Sequence, residues 1–538
     1  MDVRASSAVA VARRHRRVPA GLAVSAGFVL ALVAVAPVYL VVRASEATSS
    51  SWDLILRGRT ATLTLNTLGL AAAVTAASTA IGVAAAWIAV RTDIPGRRVW
   101  ATAFALPLVF PSYVGAFALL AALGPRGLVQ GWLEPLGVDR LPDIGGFPGA
   151  FLALTLFTYP YVYLVAASAL RGIDPTWEEA ARTLGRNRWF GFRTVTLPLL
   201  RPALAGGALL VALYVLHDFG AVSLMRYQTF TQAIFLQYKA AFDRTPAAIL
   251  SLILIALALI VVVFEQRARG RARYHRTGAG SGRRPRPIRL GRWRVPALAF
   301  AAVLVLVALV LPAGVLVYLL VQGVREGVPL NLTIGAVGGS AIVSSLGALV
   351  TVAAALPIAI LAARFPGSAA RAAEGAAYVG YALPGLVVAL AFVFLTAGNV
   401  PLLYQSLPLV VLAYVVLFLP QAVAPLKAGL LQVNPRIEEA GRTLGRNRSQ
   451  VVRRIVLPAL ARPASFGAAL VCLTAMKELP ATILLRPTGF ETLATRVWTS
   501  ASAGLYSRAA VPALLLILVA SVPLWALAGR LGAAEDPR

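Results

Sequence analysis

Apolar runs of bilayer length recur from one end of this chain to the other, among them AGLAVSAGFVLALVAVAPVYLVV (20–42) and AAILSLILIALALIVVVF (247–264). A run of about 20 apolar residues crosses a hydrocarbon core as a helix. The chain is therefore expected to be an all-α polytopic membrane protein. Twelve spans are expected, at roughly 20–42, 61–90, 99–123, 149–170, 200–224, 246–264, 295–320, 336–362, 373–396, 406–430, 461–485 and 507–529. Only 13% of residues are charged, about half the share usual in soluble domains.

The net charge of +29 invites a nucleic-acid reading. The arginines instead fall in short segments between apolar runs, where the positive-inside rule places them, so no nucleic-acid partner is expected. The basic N-terminal stretch with Arg4, Arg13, Arg14, Arg16 and Arg17 precedes a run too long for a cleaved signal and reads as an uncleaved first span. Cys472 is the only cysteine, and no Cys/His cluster suggests a metal site.

The chain is duplicated. IDPTWEEAARTLGRNRWFGFRTVTLPLLRPAL (173–204) aligns without gaps, 260 residues on, with VNPRIEEAGRTLGRNRSQVVRRIVLPALARPA (433–464). The same offset pairs His217 with Lys477, Asp218 with Glu478 and Arg226 with Arg486. Two halves of six spans each follow, 1–264 and 295–538. They are joined by an Arg-rich linker, 265–294, that holds eleven arginines. With six spans per half, both halves take the same orientation, and both termini and the linker fall on the cytoplasmic side.

Each repeated segment reads as a short helix outside the bilayer. Asp174-Pro175 and Asn434-Pro435 are N-cap and first-turn proline. Glu178, Glu179, Glu438 and Glu439 lie near the positive end of the helix dipole. Gly185 and Gly445 are stop or close-approach points. A solvated basic loop accounts for the arginines but not for near-identity at Glu178, Glu179, Ala180, Ala181 and Gly185 against Glu438, Glu439, Ala440, Gly441 and Gly445. A docking surface, offered twice, accounts for both.

The pattern Glu179-Ala180-Ala181, Gly185, Val195, Leu197-Pro198, repeated as Glu439-Ala440-Gly441, Gly445, Ile455, Leu457-Pro458, resembles the EAA loop of ABC importer permeases. The copies depart from it at Val195 and Gly441. The resemblance covers roughly 60–264 and 335–529 and is to the fused permeases, in which one polypeptide supplies both halves of the pore. It implies a type I importer fold in a bacterial inner membrane, with ten ATPase-coupling residues: Glu178, Glu179, Ala180, Ala181, Gly185, Glu438, Glu439, Ala440, Gly441 and Gly445. It also implies two copies of a separate ATPase, carrying ATP and Mg, and an extracytoplasmic solute-binding protein. No cofactor is expected on this chain, which lacks a Gly-x₄-Gly-Lys phosphate loop, and no catalysis is expected of it.

MKELPATILLRPTGFETLATRVW (476–498) and HDFGAVSLMRYQTFTQAIF (217–235) are similar to segments of ferric-iron permeases. Thiamine and phosphonate permeases are the alternatives within the class, and a secondary transporter is the alternative outside it. Asp218 and Glu478 are costly groups within apolar spans and so are expected to face a cavity or a partner. One reading puts them, with His217 and Lys477, on the translocation path for a cationic cargo. The other gives them local partners: His217, Lys477, Arg226 or Arg486.

Overall fold

A computed structural model describes residues 18–49, 52, 58–125, 127–173, 183, 185, 187–240, 244–269, 287–327, 331–365 and 367–532. The first half contributes α1 (Ala20–Ser45), α2 (Arg59–Arg91), α3 (Ser112–Leu123), α4 (Phe147–Gly172), α5 (Leu197–His217), α6 (Gly220–Leu224), α7 (Phe230–Ala240) and α8 (Thr245–Arg269). The second contributes α9 (Gly291–Arg325), α10 (Asn331–Arg364), α11 (Ser368–Val379), α12 (Gly385–Asn399), α13 (Leu407–Gln432), α14 (Pro435–Thr443), α15 (Leu457–Lys477), α16 (Pro480–Leu485), α17 (Leu493–Ser502) and α18 (Tyr506–Gly532). Among the described residues ten helices are long and apolar enough to cross a bilayer, and the bent pair α11–α12 makes an eleventh. The twelfth expected span falls on α18. We call the end of the bundle that carries α14 the near end and the opposite one the far end.

Two expected spans per half are not continuous. The third breaks at Phe110-Pro111 and Leu383-Pro384, where the residue before each proline is extended, with ψ of 124° and 121°. Proline's ring drives its predecessor out of the helical region, and α11 and α12 consequently meet at 99°. The fifth breaks at the acidic residues, where Asp218 and Glu478 are extended, with ψ of 125° and 121°. The expected far-end loops 225–245 and 486–506 are also more than loops. They contain α7 and α17, which bury Phe230, Ile234, Leu493 and Val497.

The duplication persists in local geometry. A π-helical turn precedes the fifth span in both halves, at Phe192–Thr196 and at Val452–Val456. Gly207 and Gly467 hold the same packing position. A Cβ on Gly207 would lie 3.2 Å from the Cα of Val162, and one on Gly467 would lie 3.4 Å from the Cα of Ala422. Small residues of this kind let membrane helices approach closely where no hydrophobic force drives them together. The halves also embrace. α1 packs on α10, α11 and α12 of the other half, and α9 packs on α3.

Candidate functional site: the repeated helix and the capped breaks

α14 is built as its sequence suggests. The Asn434 side chain accepts a hydrogen bond from the Arg436 N–H at 3.0 Å, and Pro435 needs no partner for a missing N–H. The helix ends in a Schellman motif: Gly445 N–H donates to Arg442 C=O at 3.0 Å and Arg446 N–H to Gly441 C=O at 3.2 Å. Gly445 has φ of +79°, and Gly185 in the first copy has φ of +74°. Both copies thus use glycine where an L side chain is strained. Glu178, Glu179, Ala180 and Ala181, together with Asp174 and Pro175, lie outside the described residues.

Within α14, Glu439 and Ala440 are exposed and Gly441 is buried. A Cβ on Gly441 would lie 2.9 Å from Ile455 Cδ1 and 3.2 Å from Val451 Cγ2. The positions of the two departures from the EAA pattern therefore meet at this contact in the second copy. The second copy pairs glycine with isoleucine, and the first pairs alanine (Ala181) with valine (Val195). Glu438 is turned inward, with its Oε1 accepting from Arg364 Nη2 at 2.6 Å.

The four polar residues expected on the path stand at the breaks of the fifth spans. The Asp218 carboxylate accepts from the Ser112 hydroxyl and, through Oδ1, from the N–H groups of Ala221 at 2.9 Å and Val222 at 3.2 Å. Glu478 does the same for α16: Oε1 accepts from Ala481 N–H, and Oε2 from the Thr482 N–H and hydroxyl, each at 3.0 Å. The Thr482 hydroxyl also lies 2.7 Å from Tyr414 Oη. First-turn N–H groups lack helical partners, and each acid supplies two of them.

Ser112 and Gly385 both follow the proline of the broken third span. A Cβ on Gly385 would sit 2.5 Å from Glu478 Oε1. The longer acid therefore faces the residue with no side chain, and the shorter acid faces serine. Arg486, one of the arginines expected as alternative partners, instead donates to Phe490 C=O at 2.7 Å.

The basic neighbours reach across the halves. Lys477 Nζ donates to Leu108 C=O of the first half at 3.0 Å. His217 faces the Ala382 backbone of the second, and its Nε2 is buried with no partner among the described residues. Among those residues, no group of three or more His, Cys, Asp or Glu is placed to hold a metal ion.

A family model described as "Binding-protein-dependent transport system inner membrane component" matches residues 78–274 and again 355–538. The chain belongs to that family. This permease is 31% identical over 494 residues, 91% of its length, to the Fe(3+)-transport system permease protein FbpB 2 of Haemophilus influenzae, of which it covers 94%. It is 36% identical over 146 residues to the molybdenum transport system permease protein ModB of Escherichia coli, covering 26% of this chain and 60% of that one. A sulfate transport system permease protein, CysW of Synechocystis, is 30% identical over 175 residues, covering 32% and 62%. The permease is thus a fused, duplicated ABC importer component of the inner membrane and not an enzyme. Ser112, Gly385 and Arg364 are the site residues that sequence reasoning missed.

Proposed function

We propose that this permease imports ferric iron, delivered by an extracytoplasmic solute-binding protein and driven by two copies of a separate ATPase that carry ATP and Mg. The observation that carries the cargo is the similarity to a ferric permease over nearly the full length of both chains. The near end is cytoplasmic on this reading, with both termini and the linker on that side, and binding protein approaches the far end.

The ATPase pair docks on α14 and on its copy at 174–185. Docking is supported by a nine-residue helix capped at both ends, with Glu439 exposed on it. Closure of the ATPases draws the two docked helices together. Because each leads through a π-helical turn into a fifth span, the pull reaches the breaks at Asp218 and Glu478. There His217, Asp218, Lys477 and Glu478 form the gate: the acids fix the shape of each break, and the basic groups bolt one half to the other.

Reconstitution tests the reading. The permease in liposomes, with ATPase and loaded binding protein, should take up ferric iron only when ATP is present inside. Uptake without the ATPase identifies a secondary transporter instead. A binding protein that holds thiamine or a phosphonate and rejects ferric iron overturns the cargo.

A further inference from the structure

The acidic pair of α14 has two members, and the structure gives them different surroundings. Glu438 is bonded to Arg364, the last residue of α10, and the two side chains are only 17% and 14% exposed. The same Arg364 Nη2 reaches Val433 C=O at 3.1 Å, at the joint between α13 and α14. One guanidinium therefore fastens together the near ends of α10, α13 and α14. Charge-assisted bonds at a partly dry site are stronger than exposed ion pairs. Glu439, one residue further, points about 100° away around the helix, on the exposed side.

We propose that Glu438 is a positioning residue, braced by Arg364, the arginine that ends the second span of its half, while Glu439 faces the ATPase. The brace makes the docking helix move as one body with the second and fourth spans. This inference rests on the docking reading above, and the two are tested separately.

The full permease is purified with its ATPase as R364E, E438R, the swap R364E/E438R, and E439R. Each of the first two should lower permease-stimulated ATP hydrolysis at least about tenfold while the ATPase still co-purifies, and the swap should recover most of the activity. E439R should lose the ATPase itself. A swap no better than its singles, at wild-type membrane levels, overturns the brace. If E439R keeps both ATPase and activity, docking through that face is wrong, whatever the swap shows. In the permease alone, E438Q and R364Q should speed tryptic cleavage within α14 at Arg436 and Arg442. Unchanged cleavage also overturns the brace.

Discussion

One methyl group separates the two copies at Gly441, where the first copy carries Ala181. Gly441 packs on Ile455, and the sequence sets Ala181 and Val195 at the matching positions of the first copy; the two pairs have similar total volume, and volume-conserving swaps are the ones cores tolerate. In G441A the new methyl meets Ile455 Cδ1 at 2.9 Å, and helix propensity repays about 1 kcal/mol of that crowding. Crowding and propensity thus nearly cancel, so the single variant is a poor test and a cycle is a good one. I455V should lower the melting temperature in the wild type and leave it level or raise it in the G441A background, with a coupling of at least about 0.5 kcal/mol. Additive melts would show that the two sites do not share the contact.

The far acids follow the same logic with less room to adjust. Glu478 is held by three hydrogen bonds, so it cannot yield to a Cβ at 2.5 Å. G385A should destabilise the permease by about 2 kcal/mol. E478D/G385S, which recreates the Asp218–Ser112 pair, should restore both melting temperature and uptake.

At the scale of elements, the docking helix is the one whose ends the sequence spells out. N434A should cost about 1 kcal/mol through the lost cap, and G445A about 1–2 kcal/mol through a left-handed backbone that alanine resists. Read as the fraction of ATPase retained on purification, both should weaken docking without changing permease yield. This much was legible because caps, first-turn proline and C′ glycine are local signals. The breaks were harder. Pro111 and Pro384 sit inside apolar runs that hydropathy alone reads as continuous, and their bends are set by the residue before each proline. Asp218 and Glu478 announced themselves as costly groups in lipid. Their partners are backbone N–H groups of α6 and α16, and these exist only once the helix has broken. The Ser112 and Gly385 alternation depends on contacts between segments about a hundred residues apart, which no local pattern carries.

At the scale of the molecule, duplication gives two halves that meet along α1 and again toward the far end. Phe219 of the first half lies 4.9 Å from Trp498 of the second, and Phe117 stacks 6.2 Å from Tyr506. Lys477 bolts to Leu108 a little deeper. On the proposed orientation this is the side from which a binding protein would deliver cargo, and we expect these contacts to form its closure. Alternating access would then require the Phe219–Trp498 contact to part once per cycle. The docking helices at the other end can drive it only if each half moves as a rigid unit. A covalent tie across the closure tests this directly. With Cys472 replaced by serine to remove the native thiol, F219C/W498C should cross-link under mild oxidation. The tied protein should keep its ATPase bound but lose uptake, and reduction should restore transport. Uptake at the untied rate in fully cross-linked protein would mean that the far-end contact between the halves is not the one that opens.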